Sequence, residues 1–510
     1  MGLLINSIKS LFSKDSITEN TISELRHLME QDRDNVIISG KSLRSTLETY
    51  LEAGEIEMAR KMFACHRSEA MKAISEYKTS SHKILMREDK KRKGKEDFET
   101  SKLPRPYQRL TNQTGAFFMF GNKITLTLDN KPAESKLLEE SFDEFKEFLK
   151  NMYFDENLYM ARQIAGSETE CAKIYSLYKD EDGNVEVVCQ LKSNGQGHVL
   201  YPLFNQYGKM VAFAVGYFMR NLEFDLEEHF DVYTKKNIWK FYRKMDGTTN
   251  LWLLIEKLDN PFNKIPVIYY RHEVDWEGAQ ERIEKLEWRD SKHSDTVEYF
   301  GDPYLLLTAD IAGELLSDAR EVGRVMVMEN KEGRMEYVTP PDNANMIKDE
   351  KDDLKTSIEQ ATLTPDWSYK SIMGLGTLSG EAMRRANLPG YVKRTQFAVG
   401  VYNELIRREL NLIKTILCDY VYLKDSKKAD LIRKMKINFD YTDPFIGGIE
   451  NNADEIATLV GSGSMSIHAA VASNRYIVDK QAEEERIWEE KKRAAEIEKQ
   501  KITQNTTITE

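Results

Sequence analysis

Apolar positions along this chain change rhythm twice, and each change marks a change of architecture. From about Ser16 to Lys91 they return every three or four residues, as in "SLRSTLETYLEAGEIEMARKMFACHRSEAMKAISEYKTSSHKIL", through long runs free of glycine and proline. That spacing predicts amphipathic helices. Pro104 and Pro106 then punctuate the chain. Between Tyr107 and Tyr270 the texture becomes that of strands: "ITLTLD" alternates, "CAKIYSLYKDEDGNVEVVCQL" reads as a hairpin turning at Asp182-Gly183-Asn184, and "MVAFAVGYF", "HFDVYTKKNIWKFYRK", "NLWLLIEKL" and "KIPVIYY" follow. One helix is expected there, at "EESFDEFKEFLKNMYF". The fold class is α+β.

After Arg271 the rhythm changes again. Trp276 to Tyr299 predicts one helix of 24 residues, about 36 Å long, with Ile283, Leu286 and Val297 as its few apolar anchors and too many charges for a globular core. Gly301 to Pro340 holds two short β-runs, "RVMVME" and "RMEYVT", joined at Asn330-Lys-Glu-Gly333. A second charged helix follows from Asn343 to Leu363. The layout is a pair of struts carrying a small β-bearing tip. Ser379 to Tyr422 reads as mostly helical, interrupted by Pro389-Gly390, and "KMKINFDYT" as a returning strand. Beyond Asp443-Pro444 lies a small helical module, with Ser466 as the expected N-cap of its second helix, Ser473 or Asn474 ending that helix, and Asp479 capping the last.

Composition narrows the function. Among 510 residues the formal charge is -11, which argues against tight grip on nucleic acid, since such affinity comes from clustered Lys and Arg. The run Lys90 to Lys95 is basic and reads either as a solvated loop or as a nucleic-acid contact. Four scattered cysteines without C-x-x-C spacing indicate a reducing compartment and imply neither disulfides nor zinc. No run is long and apolar enough for a membrane span, and "MGLLINSIKSLF" lacks the features of a secretory signal or an acylation site. The expected location is the cytoplasm, or an assembly built there.

Catalytic patterns are thin. "GLGTLSGEAMRRANLPGYVKRTQF", Gly374 to Phe397, is rich in glycine, but Glu381 follows Gly380 where a phosphate-binding loop requires lysine. No strand precedes it, so its glycines read as a hinge between helices. Neither H-E-x-x-H nor G-x-S-x-G occurs. Asp180-Glu181-Asp182 lacks the ligand spacing of a calcium loop, and Asp352-Asp353 sits on an exposed helix. No catalytic residue, metal ligand or cofactor is expected.

Four stretches in order resemble the portal proteins of long-tailed bacteriophages: "NPFNKIPVIYY" (Asn260 to Tyr270), the helix, small β tip and helix from Trp276 to Leu363, "GLGTLSGEAMR", and "GSGSMSIHAAVASNRYIVDKQAEEERIWEE". The resemblance covers most of Tyr107 to Glu490 and departs from the family at Pro389-Gly390, where a kink or break is expected in an otherwise continuous helix. It implies a portal fold: an N-terminal helical region of the wing at 1–100, a wing body at 101–272, a first stem helix at 273–300 and a clip at 301–340. A second stem helix at 341–363, a tunnel loop at 364–378, a wing helix and return strand at 379–447, a crown at 448–500 and a disordered tail at 501–510 complete it.

The resemblance further implies a homo-oligomeric ring, typically of twelve subunits, at one capsid vertex. The ring serves as the channel for packaging and ejection of double-stranded DNA. Its implied partners are the terminase motor, head-completion adaptor proteins and the major capsid or scaffolding protein. Duplex DNA is held weakly and without sequence preference, no membrane is involved, and assembly occurs in the host cytoplasm. The tunnel-loop candidates are Trp367, Tyr369, Lys370, Gly374 and Gly376, with the aromatics facing the channel or packing on the wing. Candidates for the channel face of the stem are Glu281, Lys285, Trp288, Lys292, Asp352 and Lys355. The clip candidates for subunit or partner contact are Arg324, Val325, Met326, Val327, Met328, Met335 and Tyr337, on strands expected to complete their sheet with neighbouring subunits.

Charge fits this reading, because Asp275 to Tyr299 holds eight acidic and four basic residues and Asp342 to Ala361 six and three. Acidic helices around a channel repel a duplex rather than gripping it. Two other readings stand beside it: a different oligomeric virion or scaffold protein, and a metal-dependent nuclease with an unrecognised carboxylate site.

Overall fold

The computed structural model describes residues 43–91, 98–129, 135–179, 185–245, 251–301, 304–308, 324–328, 334–338, 344–366, 385–421, 426–444, 456–473, 483–493 and 496. The Asp182-Gly183-Asn184 turn, the Asn330 to Gly333 joint, Asp479 and the tail beyond residue 500 lie outside them, as does the tunnel-loop stretch 367–384. Two units divide the chain, Met1–Pro444 and Phe445–Glu510.

The N-terminal helical rhythm resolves into short pieces, α1 (Leu43–Glu52), α2 (Ile56–Arg60) and α3 (Arg67–Tyr77), then two 3-10 turns, Thr79–Ser81 and Lys83–Met86. Residues 87–91 and 98–106 are extended and form a strap, with one bridge between Lys90 and Phe98. The helix α4 (Tyr107–Phe120) occupies sequence that reads as β-rich, because Gln108, Thr111, Asn112 and Thr114 are buried together with Phe118 and Met119. With polar residues on its buried face and only Arg109, Leu110 and Gln113 exposed, the helix shows no clean apolar stripe. Next come β1 (Thr125–Leu128), the strongly amphipathic α5 (Ser135–Asn151) and α6 (Phe154–Glu168), which the alternation likewise hides. Tyr153, left-handed at φ 53°, turns the chain between α5 and α6.

The strands expected from the sequence are present, β2 (Glu170–Lys179), β3 (Val185–Lys192), β5 (Met210–Arg220), β6 (Leu226–Thr234), β7 (Asn237–Lys244), β8 (Leu253–Asp259) and β9 (Val267–Arg271), and the structure adds one that the sequence reading did not name, β4 (Val199–Phe204). They form an antiparallel five-stranded sheet in sequential order β4 to β8 and a three-stranded sheet in the order β3-β2-β9. The two sheets pack face to face through Leu200, Phe213 and Val215 against Ala172, Ile174, Val267 and Tyr269. Helices α1 and α2 cover the outer face of the larger sheet through Leu47, Leu51 and Ile56 on Phe230, Trp239 and Phe241. The other face of the smaller sheet, with Cys171, Tyr175 and Tyr270, packs on α5, α6 and the later helices. The body is thus layered helix, sheet, sheet, helix.

Two long helices follow, α7 (Gln280–Gly301) and α8 (Ala344–Thr362), the first starting four residues later than its sequence predicts because Trp276 to Ala279 form turns. Between them β10 (Tyr304–Thr308) is central, parallel to β11 (Arg324–Met328) on one side and antiparallel to β12 (Arg334–Val338) on the other. This corrects the sequence reading twice. The two predicted β-runs do not pair with each other but flank β10, a strand that the sequence reading did not name. Leu305, Leu306 and Leu307 form a short continuous apolar run, which suits a central strand and carries no alternation to announce it.

After the undescribed stretch, α9 (Leu388–Phe397) starts at Asn387 with Pro389 in its first turn, where proline needs no helical N–H donor. The expected break therefore lies just before Pro389. The helix runs on through a π-helical turn, Ala398–Tyr402, into α10 (Asn403–Ile416); α11 (Ser426–Lys434) and β13 (Ile437–Asp440) close the unit, β13 pairing antiparallel with β1. In the second unit, residues 456–461 and 483–493 are helical, and between them the helix Ile467–Ser473 is capped as expected, Ala469 N–H donating to Ser466 Oγ at 3.1 Å.

Candidate functional site

The strut pair is rooted in the body by one apolar cluster and one buried ion pair. Trp276, Ala279, Ile283 and Leu286 of the α7 end pack with Ile358 of α8 and Ala73 of α3. Trp276 stacks on Tyr77 and donates to Glu76 Oε2 at 2.8 Å. Just before, Asp275 accepts both guanidinium nitrogens of fully buried Arg162 at 2.8 and 3.1 Å, and its carbonyl accepts from Lys393 Nζ at 3.1 Å. Gly115 of α4 and Gly166 of α6 make the room: a Cβ on Gly115 would sit 2.9 Å from Arg162 Nη2, and one on Gly166 2.8 Å from Asp275 Oδ2. Burial pulls the Lys393 ammonium down to about 8 despite the Asp275 charge.

Farther along, α7 and α8 run antiparallel, Arg289 Nε reaching Glu350 at 3.0 Å and Lys351 Nζ reaching Asp290 at 2.7 Å. The strap lies along another face of α7 and consumes its carboxylates. His82 Nδ1 is 2.6 Å from Glu287 Oε1 and its Nε2 is 2.8 Å from the Glu76 carbonyl, so both ring nitrogens meet acceptors. The hydrogen bond to Glu287 raises the His82 pKa in spite of burial. Arg105 donates to Glu287 through its backbone N–H at 2.7 Å and to Asp290 through Nε at 2.7 Å. Arg87 Nη2 reaches Asp295 at 2.5 Å, and the backbone N–H groups of Ser101 and Leu103 donate to Asp295 and Ser291 at 2.8 and 3.0 Å. Burial alone would raise Asp290 and Asp295; bonds from Lys351 and Arg105 to the first, and from Ser101 and Arg87 to the second, hold both below the usual carboxylate range.

The sequence places α7 wholly outside a core, and here the structure differs. Glu287, Asp290, Ser291 and Asp295 are all buried. Of the acidic residues that make the segment look repulsive, these three and Asp275 face inward, whereas Arg282, Lys285 and Lys292 are exposed and Arg289 is half-buried. The accessible surface of α7 is consequently not acidic.

Glu281, Lys285, Trp288 and Lys292 form one exposed stripe at helical spacing, with Trp288 39% exposed and Lys292 Nζ 3.8 Å from its ring centre. On α8, Asp352 is exposed and pairs loosely with half-buried Lys355 at 3.8 Å, while Lys285 leans to Glu350 at 3.6 Å. Arg324 to Met328 lie on β11, and Met335 and Tyr337 on β12, paired across β10 with Leu307 and Leu305. Trp367, Tyr369, Lys370, Gly374 and Gly376 lie outside the described residues, so the stem stripe and the loop are not brought together here. What sequence reasoning missed is the strap; its only signal is His82, Arg87 and Arg105 in a segment otherwise resembling a linker.

Among the described residues no cluster of His, Cys, Asp and Glu is arranged for a metal ion, and no helix is long and apolar enough to cross a membrane.

Residues 63–497 match the protein family described as "Phage portal protein, SPP1 Gp6-like". The chain belongs to this phage portal family. The match begins at Phe63, so it takes in α3 and the strap as well as the body, struts and much of the second unit. No curated protein matches the chain. As a portal protein it is a structural component of a bacteriophage virion, sited at a capsid vertex and tied to DNA packaging. The family assembles as oligomeric rings with capsid and packaging partners.

Proposed function

We propose that this portal protein forms the ring through which double-stranded DNA enters and leaves the capsid, with α7 and α8 as the stem of each subunit and β10 to β12 as its clip. The observation that carries this reading is the strut pair itself: two antiparallel polar helices, rooted by Trp276, Ile283, Leu286 and Ile358, that end in a small sheet. A stiff rod holding a tip away from the body suits a ring that docks a motor and later a tail adaptor at its narrow end. Residues 448–500 form the crown; twelve subunits make the ring; terminase, head-completion proteins and capsid or scaffolding protein dock on it; assembly takes place in the host cytoplasm.

Duplex DNA slides past surfaces of mixed charge. Lys285 and Lys292 on the stem, tempered by Glu281, Asp352 and Glu350, offer shallow and salt-screened attraction. Lys370 of the tunnel loop, with Trp367 and Tyr369 beside it and Gly374 and Gly376 as pivots, adds one more weak contact per subunit. Negative-stain imaging of the purified chain tests the ring: particles with a duplex-wide central hole are expected, and solid particles or monomers at assembly concentrations sink it. Gly374→Pro with Gly376→Pro is expected to spare the ring and impair packaging; wild-type packaging by that variant removes the mobile loop from the account.

A further inference from the structure

Several arginines of the body are matched to carboxylates: Arg162 to Asp275, Arg60 and Arg243 to Glu228, Arg87 to Asp295 and Arg105 to Asp290. One cleft gathers more cations than carboxylates. It opens between α1, β5, the β6–β7 turn, the loop before β9 and α10, has a volume of about 640 Å³, and draws four cations together: Arg44, Lys235, Lys264 and Arg408. The one carboxylate lining it is Glu404.

These cations are poorly compensated among the described residues. Arg408 is half-buried; its Nη2 lies 3.7 Å from the sulfur of Met210, and the nearby negative charge is that of Glu404 one turn earlier. Arg44 gives Nε to Glu48 at 2.9 Å, but its Nη2 is enclosed without a hydrogen-bond partner. Lys264 Nζ meets only neutral oxygens, the Asn411 carbonyl at 3.2 Å and Thr415 Oγ1 at 2.8 Å. Burial lowers the pKa of both Arg408 and Lys264, the mark of charge held without a full counterion. An enclosed guanidinium donor left unpaired is costly, and an anion from outside would satisfy it.

We propose that this cleft is an anion site that takes a phosphate group, gripped by the guanidinium forks of Arg44 and Arg408 with Lys264 and Lys235 at its sides. Four cations against Glu404 and the Glu48 that pairs with Arg44 leave an excess of two charges, which a phosphate dianion offsets better than a single carboxylate does. The cleft exceeds a bare phosphate in size, and Met210, Val211, Ile265 and Leu412 give it an apolar wall, leaving room for the rest of a nucleotide. The phosphate is therefore either free in solution or part of a nucleotide, alone or within a DNA strand. The site does not depend on the ring.

The test is thermal stabilisation of the full chain at constant ionic strength, with inorganic phosphate, a deoxynucleoside monophosphate and a short blunt duplex as separate probes. Saturable stabilisation by phosphate or mononucleotide identifies a free source, and a response confined to the duplex identifies the strand. In either case Arg408→Met is expected to weaken the effect roughly tenfold to a hundredfold, with Arg408→Lys intermediate. Lys235→Glu, at an exposed rim position, keeps the test valid should Arg408→Met fail to fold; it is expected to weaken the same probe. Three results overturn the proposal: no probe stabilises the chain, the response is unchanged in both variants, or only a poly-glutamate peptide binds.

Discussion

Two faces of α7 carry opposite chemistry although they belong to one helix. The face under the strap holds Glu287, Asp290, Ser291 and Asp295, each satisfied by named donors from residues 82–105 or α8. The opposite stripe of Glu281, Lys285, Trp288 and Lys292 faces solvent and makes only loose contacts. Removed from water, a charge is worth what its partners make it; left in water, it is worth little. The strut's rigidity therefore comes from its acidic side, and what it shows to a ligand comes from its basic and aromatic side.

The largest expected effect tests the root of that helix. Arg162→Met leaves Asp275 buried without its fork and is expected to cost about 3–5 kcal/mol of stability in chemical denaturation. A loss below about 1 kcal/mol would show that the buried pair does not hold the strut. Next comes Asp295→Leu, which orphans Arg87 and the Ser101 amide and is expected to cost roughly 1–3 kcal/mol. Limited proteolysis should then cut within residues 87–105; cleavage equal to wild type would separate the strap from α7.

The two kinds of titrating group set a pH window for the strap. Asp290 and Asp295 have folded pKa values below the unfolded ones, so their contribution is full above about 4 and is lost as pH falls through the folded values. His82 has a raised pKa, so its contribution is full below about 6.5 and is lost as pH rises through the folded value. Amide exchange at Ser101, Leu103 and Arg105, corrected for intrinsic rates, should be slowest between these limits. His82→Gln should remove only the alkaline loss; a profile unchanged by that substitution would assign the loss to another group.

The smallest effect belongs to the open face. Trp288→Ala with Lys292→Ala is expected to stay within about 0.5 kcal/mol of wild type in stability while weakening DNA retention at low salt. A large loss of stability would mean that this face, too, is covered.

What could be read from the sequence follows from where each signal lives. Strands β5 to β8 were legible as apolar and β-branched runs broken by turn residues, and α5 shows its stripe because one side meets solvent. The helix α4 was hidden because its buried face carries Gln108, Thr111, Asn112 and Thr114 among the apolar residues, and β10 because a central strand of leucines does not alternate. The two strut helices were legible in extent, but not the fate of their acids: carboxylates at positions 287, 290 and 295 look like a solvated face until His82, Arg87 and Arg105 arrive from far away in the chain. The candidate site was legible as a stripe of positions on α7, while its charge depended on knowing which acids the strap removes.

That distance has a consequence in time. Arg87 and Asp295 are 208 residues apart, so on a ribosome adding roughly 5–20 residues per second the strap waits about 10–40 s for its docking groove. Until then Arg87, Arg105 and His82 have no carboxylates to meet, and a nascent subunit has no stiff strut to offer. Any neighbour that recognises the finished rod must therefore meet a chain synthesised past Asp295, which keeps half-made subunits out of the assembly.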